Sequence, residues 1–369
     1  MEILPFENWF NNNINTPFLI AGPCSAESRD QVMETARAID KLNKVTLFRS
    51  GIWKPRTHPD SFSGVGVKGL KWLQQVKKET SLKTVVEVAV PKHVEQCLTH
   101  EIDAVWIGAR TTSSPFAVQE LCEVLSGTDL PVLVKNPINP DIGLWIGAIE
   151  RLLKKGINKI AAIHRGFFPF ETTSLRNIPK WEVPIELKQN FHELPIICDP
   201  SHISGNVNYI KTIAQKAFNL NMDGLMIETH INPSSALSDS EQQLTPHALG
   251  ELISKLVIRK SSSSDVNFAS LLDKLRNQID SIDQQYLELL AQRMDIVEKI
   301  GSYKKENNVA ILQLDRWEEI ITTRMDLAEK IGLDKEFVLN FLKSVHKESI
   351  QIQTKVMGND NGPFPKSRR

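Results

Sequence analysis

Four residues carry the kinds of side chain that bind divalent transition-metal ions in proteins: Cys24, His202, Glu228 and Asp239. The first three stand at or just beyond the end of a short apolar segment, and Asp239 follows soon after the last of these segments. A cysteine alone at such a place could simply be a small buried hydrophobe. Four ligand types in equivalent places favour a site for one divalent ion of Mn, Fe, Co or Zn.

A second set of side chains at the same kind of position is basic: Arg49, Lys54, Arg56, Arg110, Lys135 and Arg165. The whole chain has 44 basic and 44 acidic residues, so its net charge gives no reason to expect binding to nucleic acid or to a membrane surface. Cations that converge on one cavity repel one another unless anions lie between them. The pattern therefore predicts anionic ligands, most simply two phosphorylated small molecules.

The elements that must position these residues are eight short apolar segments separated by stretches with helical spacing of apolar residues. The predicted strands are 18–21, 46–52, 84–89, 104–109, 131–135, 159–164, 195–198 and 224–228. Alternation of strand and helix indicates a parallel sheet, and eight units in this length fit an α/β fold of the (β/α)8 TIM-barrel type. In such a barrel the chemistry collects at the carboxyl ends of the strands, where the two sets stand.

Six motifs, in order, carry a resemblance to a known family: Gly22-Pro23-Cys24-Ser25, Lys54-Pro55-Arg56-Thr57, Ile107-Gly108-Ala109-Arg110, Ile163-His164-Arg165-Gly166, Asp199-Pro200-Ser201-His202 and Ala236-Leu237-Ser238-Asp239. They resemble the type I 3-deoxy-D-arabino-heptulosonate-7-phosphate (DAHP) synthases, nearest their shorter β subgroup. The resemblance implies condensation of phosphoenolpyruvate with erythrose 4-phosphate. The alternative is the related synthase that makes 3-deoxy-D-manno-octulosonate 8-phosphate from the same donor and a five-carbon sugar.

The resemblance also implies roles for individual residues. Cys24, His202, Glu228 and Asp239 match the metal ligands of that family. Glu87 matches a carboxylate near the attacking water, and Lys54 is expected to donate a proton to the new alkoxide. The expected phosphoenolpyruvate ligands are Arg49, Lys54, Arg110, Lys135 and Arg165, and the expected erythrose-phosphate loop is Pro55, Arg56 and Thr57.

The organisation of the chain changes after the last predicted strand. A polar, serine-rich segment resembles a flexible linker, and from residue 268 onward the apolar spacing is helical throughout. We therefore predict a barrel domain over 1–259, a linker over 260–267, an all-α domain over 268–357 and a disordered tail over 358–369. The first helix of the second domain should be about 40 residues long, followed by helices near 314–330 and 334–357.

Two cations interrupt the apolar stripe of the long helix. Arg293 and Lys304 are eleven residues apart, which is about three helical turns and so nearly the same face. Together they predict a cationic pocket lined by a helix bundle. Arg276 lies seventeen residues before Arg293, out of phase with it, and does not easily share that pocket within one helix.

This second domain resembles the all-helical, AroQ-type chorismate mutases in the order and spacing of Arg276, Arg293, Lys304, Arg316, Ser349 and Gln353. The resemblance implies rearrangement of chorismate to prephenate in a homodimer whose helices interlock, with Arg276 entering the partner's site. Arg276 and Arg293 would bind the two carboxylates, whereas Lys304 and Gln353 would act at the ether oxygen. The alternative is a dimerising sensor that binds chorismate or prephenate and inhibits the barrel.

The remaining features concern the compartment. We expect no secretory signal, because the first sixteen residues lack a basic segment followed by an apolar core. No apolar run reaches the roughly 18 residues that a membrane span needs. The four cysteines are too scattered for a disulfide framework, so we expect a reduced, cytoplasmic enzyme without nucleic-acid or membrane partners.

Overall fold

The structure is a computed structural model that describes residues 2–10, 17–54, 62–170, 173–260 and 262–358. The chain divides into two compact units, residues 1–261 and residues 262–369. Each unit is described by itself below. No helix in the described ranges is long and apolar enough to cross a membrane.

The first unit contains a closed barrel of eight parallel strands in sequence order, which confirms the predicted (β/α)8 fold. Every neighbouring pair, including the first and last strands, is hydrogen-bonded. The strands are β1 (Phe18–Gly22), β2 (Leu47–Arg49), β3 (Lys83–Val88), β4 (Ala104–Ile107), β5 (Val132–Lys135), β6 (Ile160–His164), β7 (Ile196–Cys198) and β8 (Gly224–Glu228).

Helices surround this barrel. They are α1 (Arg29–Asp40), α2 (Val67–Glu79), α3 (Pro91–Thr99), α4 (Ala109–Thr112), α5 (Pro115–Leu125), α6 (Ile142–Lys154), α7 (Glu182–Asn190), α8 (Pro200–Ser204), α9 (Val207–Asn219) and α10 (Pro246–Lys255). Short 3-10 turns occur at Phe6–Asn8, Pro233–Ser235 and Ser240–Gln242. Several helices begin at side-chain caps: Ser28, Asp141 and Thr245 each accept a hydrogen bond from a backbone N–H of the first turn.

The barrel has two apolar layers: one lies between the strands and the helices, and the other fills the interior enclosed by the strands. The inner layer continues into the amino-terminal 3-10 turn. Phe6 stacks on Phe18 with ring centroids 4.0 Å apart, and Trp9 meets both rings edge-on. These aromatic rings fill the amino-terminal end of the barrel, so the polar groups collect at the other end.

Two strands, β2 and β4, end at least two residues earlier than predicted. β2 stops at Arg49 because the backbone then turns away, and only an isolated bridge joins Gly51 to Ser25. β4 stops at Ile107, since α4 begins at Ala109. Both changes bring basic side chains to the carboxyl ends of the strands, where a parallel barrel holds its site.

The pairing of β1 with β8 determines which loops meet at this end. Gly22 lies opposite Glu228 in the register. A β-carbon on Gly22, whose φ is 147°, would collide with the backbone carbonyl oxygen of Arg49. The absence of a side chain there lets β1 approach β2 closely, and the next turn carries Cys24 to the end of the barrel.

The second unit consists of α11 (Val266–Glu306), α12 (Leu314–Lys330) and α13 (Lys335–Val356). The long first helix has 41 residues, close to the predicted length, and begins within the predicted linker. Asp265 caps it by accepting hydrogen bonds from the backbone N–H groups of Asn267 and Phe268. Residues 359–369 of the predicted disordered tail lie outside the described ranges.

Candidate active sites

Three of the four predicted metal ligands form a cluster at the carboxyl end of the barrel. One ligand atom each from Cys24, Glu228 and Asp239 lies within 4.8 Å of the others. Cys24 and Glu228 are buried, and the Asp239 side chain is 19% exposed. The Cys24 thiol donates a hydrogen bond to Asp239 Oδ2 at 3.0 Å. Asp239 has a φ of 50°, in the left-handed region, so its loop turns sharply after β8.

The fourth predicted ligand, His202 on α8, lies beside this cluster. Its Nε2 is 3.7 Å from Glu228 Oε1, and its Nδ1 is 2.8 Å from Asp199 Oδ2. Burial lowers the pKa of His202 and outweighs the effect of Asp199, so the ring is neutral near pH 7. A neutral imidazole whose Nδ1 faces a carboxylate has Nε2 available as a ligand.

The environment of the cluster shifts the pKa of each group. Burial, with Glu228 next in importance, raises the pKa of the Cys24 thiol to about 12. Burial alone would raise the pKa of Asp239, but Arg176 and His202 hold it below its usual range. Burial likewise disfavours ionised Glu228, while His202 and Arg49 lower its pKa. Without a metal the cluster therefore combines a protonated thiol with two carboxylates.

The cations predicted to bind the enol phosphate lie around the cluster, and most have a partner within the protein. Lys54 Nζ is 3.1 Å from Cys24 Sγ. Buried Arg49 pairs with Glu228 at 3.0 Å, and buried Lys135 pairs with Asp199 at 2.8 Å. Arg165 donates to Asn177 Oδ1 at 2.8 Å. Arg110 lies exposed on α4, and Pro55, Arg56 and Thr57 lie outside the described residues.

An indole ring underlies two of these cations. Trp106, fully buried on β4, has Arg49 over its ring at 5.1 Å and Lys135 at 5.7 Å from the centroid. Nε and Nη1 of Arg49 have no hydrogen-bond partner among the described residues. The negative face of the indole thus stabilises cations while leaving guanidinium donors for an anion.

Glu87, the residue predicted to lie near the attacking water, lines a cavity of about 240 Å³. Lys54 and His93 line it as well, and the His93 ring stacks on Trp53 with centroids 3.9 Å apart. The Glu87 side chain passes over Gly108, where a β-carbon would collide with it. The structure therefore brings Glu87 and Lys54 to one cavity, as the sequence predicts.

The helical unit has its own cluster of predicted site residues. Arg293 donates to Ser349 Oγ at 2.7 Å, and Lys304 donates to the Ile311 carbonyl oxygen at 2.6 Å. Gln353 is buried, and its Oε1 has no hydrogen-bond partner among the described residues. Burial, followed by Arg293 and Lys304, lowers the pKa of His346. The pocket is therefore cationic.

Two predicted residues of this unit lie on its surface. Arg276 is 66% exposed and is paired with Asp273, and exposed Arg316 is paired with Glu319. Along one straight helix Arg276 is about 25 Å from Arg293, from seventeen residues at the standard rise. One chain alone therefore does not bring Arg276 to the Arg293 pocket.

Two family models match the chain, one over the barrel and one over the helical unit. A sequence model described as the DAHP synthetase I family matches residues 11–263. The chain belongs to the DAHP synthetase I family. A second model, chorismate mutase type II, matches residues 275–354. The chain is thus a bifunctional shikimate-pathway enzyme in which a DAHP synthase precedes a chorismate mutase.

Individual relatives of the barrel include both kinds of synthase that the sequence left open, and the heptonate aldolase has the higher sequence identity. A phospho-2-dehydro-3-deoxyheptonate aldolase of Thermotoga maritima is 32% identical over 242 residues, covering 64% of this chain and 68% of the relative. A crystal structure of that enzyme type from Thermotoga maritima has a TM-score of 0.61 at 28% identity, covering 69% of this chain and 72% of that one. A 2-dehydro-3-deoxyphosphooctonate aldolase of Vesicomyosocius okutanii is 26% identical, covering 69% of this chain and 94% of the relative.

Several residues of the DAHP synthase site were not predicted from the sequence. Asp199 begins a recognised motif and precedes a predicted ligand by three residues, so its role could have been inferred. Trp106, Arg176, Gln242 and Gln243 gave no such signal. Gln243 accepts a hydrogen bond from the Cys24 backbone N–H at 3.0 Å across 219 residues of sequence, and only the fold reveals that contact.

Asp199 should be the most sensitive of these residues in the DAHP synthase domain. Asp199→Asn would leave buried Lys135 without a counterion, and breaking a buried pair in this way costs about 3–5 kcal/mol. The pKa of Asp199 is held well below its usual value, because His202 and Lys135 outweigh burial. Its contribution to stability is therefore present above the unfolded-state pKa and is lost only as the pH falls through the lower folded-state pKa.

Urea unfolding at several pH values between 5 and 8 would measure this loss, which should be constant over that range. The control is Glu123→Gln, which removes the partner of Lys155 in an exposed pair at 2.7 Å. This variant should unfold almost like the wild type. Equal destabilisation by both substitutions would contradict the importance of the buried pair.

Proposed function

We propose that the DAHP synthase domain works with one divalent ion bound by Cys24, His202, Glu228 and Asp239. The observation that carries the proposal is the cluster of three ligand atoms within 4.8 Å, with His202 Nε2 beside Glu228. Glu228 Oε1, the oxygen on the His202 side, lies 3.0 Å from Arg49 Nη2, so this guanidinium would offset the negative charge of a ligating carboxylate. A mixed set of thiol, imidazole and carboxylate groups suits Mn, Fe, Co or Zn.

When bound, the ion would act as a Lewis acid on the aldehyde of erythrose 4-phosphate. The protein's cations would hold phosphoenolpyruvate: Arg49, Lys135 and Arg165, with Arg110 at the edge, would bind its phosphate and carboxylate oxygens. Lys54 would give a proton to the oxygen of the former aldehyde as carbon 3 of the donor bonds to its carbon. Glu87 would take a proton from the water that adds at carbon 2, and phosphate then leaves with its bridging oxygen.

Three further proposals concern the subgroup of the barrel, the limits of the two domains and the compartment of the enzyme. We infer that the barrel belongs to the β subgroup of type I enzymes, which the six motifs support. The functional limits we propose are 1–259 for the synthase and 268–357 for the mutase. The four cysteines are free and buried, which is consistent with a reduced, cytoplasmic enzyme.

Phosphate release from phosphoenolpyruvate tests the sugar substrate and the metal together. We expect turnover with erythrose 4-phosphate and little with arabinose 5-phosphate, and we expect a strong chelator to abolish turnover until Mn²⁺ is restored. Cys24→Ala should lose the condensation while the mutase activity of the same chain is kept. A preference for the five-carbon sugar would favour the octulosonate synthase, and activity in strong chelator would refute the metal assignment.

For the mutase domain we propose a homodimer in which Arg276 completes the partner's Arg293 pocket. Support comes from an apolar stripe on α11 whose members are 42–62% exposed and recur every three or four residues, with Arg293 in the one longer gap: Phe268, Leu271, Leu275, Ile279, Ile282, Tyr286, Leu289, Ile296 and Ile300. Large apolar stripes of this kind mark association surfaces. Arg293 interrupts the same stripe, so a partner helix that covers the stripe would also reach the pocket.

Mixing two inactive variants tests the shared site. Arg276→Ala and Arg293→Ala should each abolish mutase activity, because each removes a cation for a substrate carboxylate. After the two are unfolded together and refolded, heterodimers should each contain one intact site. Random pairing then restores about a quarter of the wild-type activity. No recovery, despite heterodimers detected by mass spectrometry, would show that both arginines act within one chain.

The sensor alternative would use the same pocket, because binding of prephenate and catalysis both need cations for its carboxylates. Arg293→Ala in the full chain separates the two cases. If the domain is a sensor, prephenate should inhibit DAHP synthesis by the wild type and lose its effect on this variant. Unchanged inhibition of the variant would exclude this pocket as the effector site.

A further inference from the structure

A buried glutamine contacts the metal cluster from the outside. Gln242 ends the 3-10 turn that follows Asp239 and is 1% exposed. Its Nε2 donates to Glu228 Oε2 at 2.6 Å, and its Oε1 accepts from Arg176 Nη1 at 2.6 Å. The amide thus donates to a carboxylate and accepts from a guanidinium, so both its polar ends match their partners.

Arg176 extends this contact to the second carboxylate. The same Nη1 donates to Asp239 Oδ1 at 2.8 Å. Arg176 itself is fixed from the loop after β6: its backbone N–H donates to the Ser204 carbonyl oxygen, and its β-carbon lies where a side chain on Gly205 would collide. Gln242 and Arg176 therefore form a chain of hydrogen bonds that links the Glu228 carboxylate to the Asp239 carboxylate.

Each carboxylate contacts Gln242 or Arg176 through one oxygen and presents the other oxygen to the cluster. Asp239 uses Oδ1 for Arg176, and its Oδ2 is the atom that accepts from the Cys24 thiol. Glu228 uses Oε2 for Gln242, and its Oε1 is the atom near His202, where it also pairs with Arg49 at 3.0 Å. The division between an outer and an inner oxygen is the same in both residues.

We propose that Gln242 and Arg176 are positioning residues that fix the rotation of Glu228 and Asp239, so that one oxygen of each carboxylate faces the divalent ion. This inference rests on the proposed metal-dependent function and adds the residues that preorganise its site. Outer contacts of this kind set the orientation of ligating groups, and their loss typically weakens metal affinity about 10–100-fold.

Gln243 supports the third member of the cluster. Its Oε1 accepts from the Cys24 backbone N–H, and its Nε2 donates to the Ser238 carbonyl oxygen at 2.8 Å. Ser238 in turn shares a short hydrogen bond with Ser25. Gln243 thus ties the loop after β8 to the loop after β1, whereas Gln242 connects the loop after β8 to β8 itself and to Arg176. Gln243 acts on backbone position, whereas Gln242 acts on side-chain orientation.

Metal titration of the full-length protein tests the inference directly. Metal-stripped wild type, Gln242→Ala and Arg176→Gln are titrated with Mn²⁺ alone by calorimetry. We expect both variants to bind Mn²⁺ about 10–100-fold more weakly than the wild type. Arg176→Gln keeps a polar side chain at a position that is 44% exposed, so it serves even if Gln242→Ala fails to fold.

The matched control is Gln189→Ala, which makes the same change at an exposed glutamine beside the amino-terminal ends of β7 and β8. It should bind Mn²⁺ like the wild type. At saturating Mn²⁺ the two test variants should recover most of their condensation rate, because neither residue contacts the reacting atoms. That recovery separates a positioning role from a catalytic one.

The outcomes distinguish this inference from the proposed function. If the wild type binds no Mn²⁺, Co²⁺ or Zn²⁺, the proposed metal site is wrong. If the wild type binds and both variants bind equally well, the metal site stands and the positioning role is overturned. Tighter binding by Arg176→Gln would also overturn it, because the guanidinium would then compete with the ion for Asp239.

Discussion

Charge compensation at the carboxyl end of the barrel is the constraint on which this structure depends. Three potential metal ligands lie within 4.8 Å of one another, and the two carboxylates among them each have a cation: Arg49 for Glu228 and Arg176 for Asp239. Burying an uncompensated ion costs several kcal/mol. The ends of β2 and β8 and the loops after β6 and β8 must therefore keep their relative positions, and the close packing of the strands beneath them makes this possible.

The sequence was sufficient to predict the barrel and to assign most of the candidate site residues to one end of it, because a parallel barrel gathers the carboxyl ends of its strands wherever they lie in the chain. Cys24, Glu228 and Asp239 follow this rule. Arg176, Gln242 and Gln243 do not, since they lie on loops and act through contacts that span 14 to 219 residues of sequence. Trp106 was missed for a different reason. An aromatic residue inside a strand is predicted as core, and the contact of Trp106 with two cations depends on side chains from β2 and β5 that meet over its ring inside the barrel.

The helical half shows where helical spacing is informative and where it is not. Spacing predicted the long helix and the cationic pocket, because residues on one helix face stay together. It also showed that Arg276 is out of phase with Arg293, and in the structure Arg276 is exposed and paired with Asp273. The spacing within one chain shows which residues share a helix face. It carries no information about what a second copy of the chain would place beside Arg276.

The aromatic rings of Phe6 and Trp9 pack on Phe18 and close the amino-terminal end of the barrel. In the part of the chain that is described, the interior is therefore open at the carboxyl end alone. Everything that enters must also leave through that opening. The most deeply buried cations, Arg49 and Lys135, lie on Trp106 inside the barrel. An anion held by both would therefore reach them and leave them by the carboxyl end of the barrel alone.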